Sequence, residues 1–250
     1  MKTLELKKLT TLPYGPEEAI NRLRVNVNFC GDRFKKILIT SSVPNEGKSF
    51  ISMNLWRQLA ETGKKVVLVD ADIRKSVLRT RHQITSGGAK LVCLEDYLSG
   101  QAELEDVVYQ TNIENAHMVP TAYTVSNPAL LIQSQRFSDM LNQLAAEYDY
   151  VLIDTPPLTA VADGDMVASQ CDGAILVVRS AYTSRRLIST SMKQLENANC
   201  ELMGVVLNRV QIDKNPYYYR QYKHGYGYGY GYGYGYGYGT YGRDDSNEKK

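Results

Sequence analysis

Residues 37–49 read ILITSSVPNEGKS: an apolar run, a short polar turn, then Gly47-Lys48-Ser49 at the mouth of a segment with helical spacing. An apolar strand that breaks into a loop and re-enters a helix is the setting in which main-chain N–H groups and a helix N-terminus cradle phosphate oxygens. In that reading Lys48 reaches the β and γ phosphates of a nucleotide and the Ser49 hydroxyl ligates Mg2+. The first glycine of the usual GxxxxGK[ST] pattern is Ser42 here. A chance Gly-Lys-Ser turn is the alternative, so the rest of the chain has to decide.

Working outward, residues 36–40, 66–70, 150–154, 173–178 and 203–207 are short apolar runs, mostly β-branched, separated by longer segments with helical spacing. That alternation predicts an α/β fold, a mostly parallel sheet flanked by helical crossovers. Helices are expected from Lys48 to Thr62, closed by Gly63, from Gln135 to Tyr148 with Phe137, Met140, Leu141 and Leu144 on one face, and from Arg185 to Asn199 behind the N-cap candidate Ser184. Pro128 opens a short helix, and residues 79–92, with Ser86-Gly87-Gly88 and weak periodicity, read as a surface loop. The expected organisation is an N-terminal arm over 1–15, one domain over 16–210 and a flexible tail over 211–250.

Asp70 and Asp72 follow the run VVLV two positions apart, which points both carboxylates to the same side if the strand continues. Asp154 ends the run YVLI, and parallel topology gathers the carboxyl ends of strands where ligands bind in such sheets. Any one of these aspartates could instead cap the next helix or turn. Three of them beside one Gly-Lys-Ser loop favour a phosphate and Mg2+ site.

The chain has 250 residues, 43% of them apolar, enough for one domain with a sizeable core. A formal charge of +2 gives no reason to expect nucleic acid as a partner. Cys30, Cys93, Cys171 and Cys200 lie far apart, and His82, His117 and His224 have no mutual ligand spacing. Free thiols in a reducing cytoplasm fit that pattern, with no metal beyond Mg2+. No window approaches the ~18–20 apolar residues of a membrane span, so any membrane association is expected to be borrowed from a partner.

Twelve of the nineteen tyrosines lie between Tyr217 and Tyr241, most of them alternating with glycine from Gly225 to Gly239. Such a stretch carries no aliphatic side chain to build a core and is expected to be disordered. Its tyrosines read either as phosphate acceptors or as an adhesive array stacking between chains. Modifying all twelve would add a charge on the order of −18 to −24.

LITSSVPNEGKS, VVLVDADIR and YVLIDTPP together resemble the Walker A, Walker A′ and Walker B motifs of bacterial tyrosine kinases, over about Glu18 to Val210. The cytoplasmic form from Gram-positive capsule and exopolysaccharide systems is the most similar. The resemblance implies a P-loop NTPase-type fold, ATP and Mg2+ as cofactors, and autophosphorylation of a C-terminal tyrosine cluster. The acceptors would be Tyr217, Tyr218, Tyr219, Tyr222, Tyr226, Tyr228, Tyr230, Tyr232, Tyr234, Tyr236, Tyr238 and Tyr241. It places nucleotide contacts at Ser42, Asn45, Glu46, Gly47, Lys48, Ser49 and Phe50, and Mg2+ on Ser49, Asp72 and Asp154. Asp70 takes the tyrosine proton. Asn208 and Arg209 match positions that contact adenine in related ATPases, or are simply a polar strand end. Positioning ATPases of the chromosome- and septum-partitioning kind share the fold but carry a second lysine early in the loop, where this chain has Val43. A nucleotide-gated scaffold with an adhesive tail is the reading from another class.

The family also has a Glu-x-x-Arg-x-x-Arg helix that mediates ring assembly. EEAINRLR supplies Glu18 and Arg24 at its outer positions, with Asn21 in place of the middle arginine. A homo-oligomer follows from the resemblance, as do a separate transmembrane adaptor that recruits the chain to the inner face of the plasma membrane and a phosphotyrosine phosphatase that reverses the modification. The basic run RKSVLRTR, with Arg74, Lys75, Arg79 and Arg81, is suited to attract ATP, an acidic partner or phosphorylated tyrosines. A solvated basic face is equally compatible with it.

Overall fold

Along Val66–Asp70 (β3) every residue is buried, and successive side chains enter opposite cores: Val67 and Val69 one, Val66 and Leu68 the other. The strands Lys36–Ser41 (β2), apart from half-buried Lys36, and Tyr150–Asp154 (β7) behave in the same way, as strands covered by helices on both faces must. These three lie side by side and parallel, β7 between β3 and β2. The structure, a computed structural model, describes residues 2–9 and 11–211.

Nine strands and nine helices are described, in one mostly parallel sheet of order β4-β1-β5-β6-β3-β7-β2-β8-β9. The outer strands are β1 (Thr3–Leu6), β4 (Ile84–Thr85), β5 (Tyr109–Thr111) and β6 (Ala116–Val119) on one side, and β8 (Gly173–Arg179) and β9 (Glu201–Asn208) on the other. Only the β1/β4 and β5/β6 pairings are antiparallel among the described residues. One face is covered by α1 (Tyr14–Phe29) and α2 (Lys48–Glu61), which bury Ile20, Val27, Leu55, Trp56 and Leu59. Over the other lie α4 (Leu94–Leu98), α6 (Pro128–Ile132), α7 (Gln135–Glu147), α8 (Asp163–Ala168) and α9 (Arg185–Asn197). Phe137, Met140, Leu141 and Leu144 of α7 are the buried stripe expected from their spacing. The short helices α3 (Leu78–His82) and α5 (Leu104–Val107) complete the chain order. No helix among the described residues is long and apolar enough to cross a membrane.

Three readings of the sequence change. Within residues 1–15, Thr3-Leu4-Glu5-Leu6 is a strand of the sheet, because Leu4 and Leu6 alternate into the core at 0% and 2% exposure. The stretch read as a surface loop over 79–92 begins with α3 and β4, since Leu78 and Ile84 have a core to enter and β4 pairs with β1. The third is β3, which stops at Asp70, so Asp72 is not a further residue of that strand. The tail over 211–250, including all twelve candidate acceptor tyrosines, lies outside the described residues except for Gln211.

Candidate functional site

β2 runs into residues 42–47 and α2 starts at Lys48, so the loop sits at the carboxyl end of a central strand with its N–H groups at a helix start. Gly47 makes the turn possible: its φ is +100°, and a Cβ there would stand 2.1 Å from Asn208 Nδ2. Asn45 is also left-handed, at φ +67°.

Glu46 holds the loop in shape. Its side chain is 1% exposed and turned inward, with Oε2 accepting the Val43 N–H at 2.8 Å and Oε1 accepting the Arg179 N–H at 2.9 Å and the Thr183 hydroxyl. Asn208 Nδ2 donates to the Glu46 carbonyl at 2.8 Å, tying the end of β9 to the same loop. Arg209, at φ +56°, follows it at an exposed position. Ser42 is fully buried: its Oγ accepts from Ser191 Oγ at 2.9 Å, and its carbonyl accepts the Thr159 N–H at 3.2 Å. Phe50 packs against the core beneath α2. Glu46 and Ser42 therefore shape the loop through their side chains, leaving Lys48, Ser49 and the main chain to face a phosphate.

The aspartates converge. Asp70 and Asp154 are register partners at the ends of β3 and β7, and the Ala71 N–H donates to the Asp154 carbonyl at 2.8 Å, one step past the strand. Asp72, beyond that step, meets Lys48 Nζ at 3.3 Å through Oδ2 and accepts the Lys75 N–H through Oδ1 at 3.1 Å. Ser52 Oγ lies 3.0 Å from both Asp154 Oδ1 and the Lys48 carbonyl, with one hydrogen for the two acceptors.

Burial dominates the electrostatics. It pushes Asp70 well above the ordinary carboxylate range, and the charges of Asp154 and Asp72 push the same way while the Ser76 hydrogen bond opposes them. Asp154 is raised too, again chiefly by burial, with Lys48 and hydrogen bonds from Ser49 and Ser52 pulling it down. The Ser76 hydroxyl donates to Asp70 Oδ2, but buried Oδ1 has no hydrogen-bond partner. An orphaned carboxylate oxygen is costly unless the site uses it. Sequence reasoning missed Ser76 and Ser52. Ser52 had a readable signal, lying one helical turn after Lys48, whereas Ser76 reaches Asp70 through a loop that no periodicity announces.

Among the described residues no group of three or more His, Cys, Asp or Glu is arranged to hold a metal ion. Mg2+ typically takes one or two carboxylates plus phosphate oxygens and water, and the donors Ser49, Asp72 and Asp154 fit that chemistry. On α1, Glu18 and Arg24 do not meet directly. Asn21 stands between them, its Oδ1 accepting from Arg24 Nη2 at 2.7 Å and its Nδ2 3.4 Å from Glu18 Oε2.

Residues 35–212 match a family model described as an AAA domain. The chain is 37% identical over 223 residues to a tyrosine-protein kinase, CpsD, of Streptococcus pneumoniae serotype 4, covering 87% of this chain and 95% of that one. The kinase domain of the Escherichia coli tyrosine kinase ETK superposes with a TM-score of 0.71 at 26% identity, covering 92% of this chain and 88% of that one. The septum site-determining protein MinD of Pyrococcus horikoshii, complexed with Mg-ADP, follows with a TM-score of 0.61 at 26% identity over 75% of this chain and 76% of that one. The motifs, the sheet order and this relationship agree: the chain belongs to the bacterial tyrosine kinases, built on a P-loop ATPase-type fold.

Proposed function

We propose that the protein is an autokinase that moves the γ-phosphoryl group of ATP onto tyrosines of its own C-terminal cluster, in trans within a homo-oligomer. Asp70 carries this reading: a buried carboxylate with one oxygen that has no hydrogen-bond partner, in register with Asp154 and two residues before Asp72, which pairs with Lys48. Lys48 and the loop N–H groups bind and align the phosphates, and alignment with charge neutralisation supplies most of the acceleration. Ser49, Asp72 and Asp154 would hold Mg2+ together with the phosphates, and the ion would supply further neutralisation of their charge. As the phenol oxygen bonds to phosphorus, the bond from phosphorus to the β–γ bridging oxygen breaks, ADP leaves and the phenolic proton passes to Asp70 Oδ1. A phenol has an unperturbed pKa near ~10, so a carboxylate with raised proton affinity is a better base for it than an ordinary one.

Lys48 pairs with Asp72 in the structure, which orients both groups before any phosphate enters. Asn208, tied to the loop through the Glu46 carbonyl, and Arg209 after it are the residues assigned to the base in this reading. Through the tail's charge state the kinase regulates polymerisation or export of a capsular or exopolysaccharide. A separate transmembrane adaptor recruits it, and a phosphotyrosine phosphatase reverses its action.

The test is incubation of the full chain with ATP and Mg2+, with and without a candidate adaptor's cytoplasmic segment, followed by mass-spectrometric mapping of phosphotyrosine. Phosphate on the tail, abolished by Lys48→Met, supports the proposal. ATP hydrolysis without tail phosphate supports instead a regulatory ATPase, the alternative to which the MinD-like fold lends weight. Nucleotide binding with neither reaction supports a scaffold.

A further inference from the structure

Beside Asp70 opens a cleft of about 590 Å³, bounded by the start of the basic run, α3, β4 and the chain after β6. Its wall is continuous with the candidate base. Ser76, which lines it, donates to Asp70 Oδ2, and Thr121, which also lines it, donates to the Asp70 carbonyl at 2.9 Å.

The lining is cationic. Arg74, Lys75 and Arg79 face it, and no acidic side chain does among the described residues. Arg74 is fixed by a two-pronged pair with buried Asp163, at 2.5 and 3.1 Å. The charged ends of Lys75 and Arg79 make no hydrogen bond or ion pair among the described residues and are free to take an anion. Thr85, also on the lining, has a hydroxyl with no hydrogen-bond partner. Cations and hydroxyls in a cleft of this size suit a ring-bearing phosphate monoester better than a bare carboxylate.

From Gly225 to Gly239 tyrosine recurs at every second position. In an extended chain, residues two apart lie on one face about 6.6 Å from each other. We propose that the cleft binds a phosphotyrosine already formed on the Gly-Tyr chain of a second copy, holding the tyrosine two residues along at Asp70, so that phosphates are added in runs. This rests on the kinase reading of the site and adds to it a recognition element for the product. A second phosphate then goes onto a chain that carries one faster than the first went onto a bare chain.

The experiment uses the full chain, stripped of phosphate, and two fluorescent peptides of sequence GYGYGYGYGYG, one unmodified and one with a single phosphotyrosine at the central, third tyrosine. Binding is read by fluorescence anisotropy, and transfer by initial rate with ATP, Mg2+ and the adaptor segment. The phosphopeptide is expected to bind about tenfold tighter and to accept further phosphate faster. Lys75→Gln with Arg79→Gln removes that preference, whereas Lys75→Arg with Arg79→Lys, which keeps both charges, retains it. Equal binding of the two peptides, or a preference that survives the glutamine pair, overturns the proposal. Transfer to neither peptide with the binding preference intact overturns the kinase reading and addition in runs, and leaves the cleft as an aryl-phosphate site.

Discussion

Asp70 and Asp154 end adjacent parallel strands in register, both at most 2% exposed. Two carboxylates so placed cannot both ionise cheaply, and Lys48, Ser49 and Ser52 compensate only the Asp154 side.

The first prediction follows from that imbalance. Both folded-state pKa values are raised above the ordinary 3.8, so the folded chain holds protons that the unfolded chain has released. This contribution favours folding most at low pH and is lost as pH rises from about 3.8 through the raised values. Asp70→Asn removes the larger part. It is expected to raise the melting temperature at pH 7 by about 2–4 °C, the equivalent of about 1 kcal/mol in a chain this long, while slowing phosphoryl transfer about 10²–10⁴-fold. Calorimetry and initial rates check the pair of effects; a lower melting temperature would contradict it.

Glu46 is a positioning residue. In Glu46→Gln the amide must present its own N–H to the Val43 or the Arg179 N–H, both of which donate to the carboxylate in the native loop. A loss of about 1–3 kcal/mol in stability is expected, with weaker ATP binding although the side chain faces away from the phosphates. Thermal unfolding and nucleotide titration measure the two.

At Gly47 an alanine would meet Asn208 Nδ2 and would also have to hold φ +100°. Gly47→Ala is expected to weaken nucleotide binding by roughly 1–3 kcal/mol. Adding Asn208→Ala makes room for the methyl group but leaves the backbone strain, so recovery measured by titration should be partial.

On α1, Asn21 satisfies Arg24 within one chain. Asn21→Arg would release Arg24 and add a third charged position in line with Glu18. Larger or more salt-resistant oligomers are expected in light scattering; an unchanged mass at all salt concentrations would remove α1 from the assembly surface.

The central strands were legible because they are buried on both faces, and a run such as VVLVD needs no partner to be recognised. β1 was harder to see, since four alternating residues become a strand only when Thr85 and Gln110 lie alongside to pair with them. The convergence of Lys48, Asp70, Asp72 and Asp154 was likewise readable from strand ends and spacing. That Glu46 turns inward was not, because its acceptor roles depend on β8 and Thr183, more than a hundred residues away.

The most direct test mixes two chains: Lys48→Met with its tail intact, and a chain ending at Pro216 with its nucleotide site intact. With ATP, Mg2+ and the adaptor segment, intact-mass spectrometry should find phosphate accumulating on the tail of the Lys48→Met chain. No phosphate on that chain, under conditions in which the unaltered protein phosphorylates itself, would contradict transfer in trans.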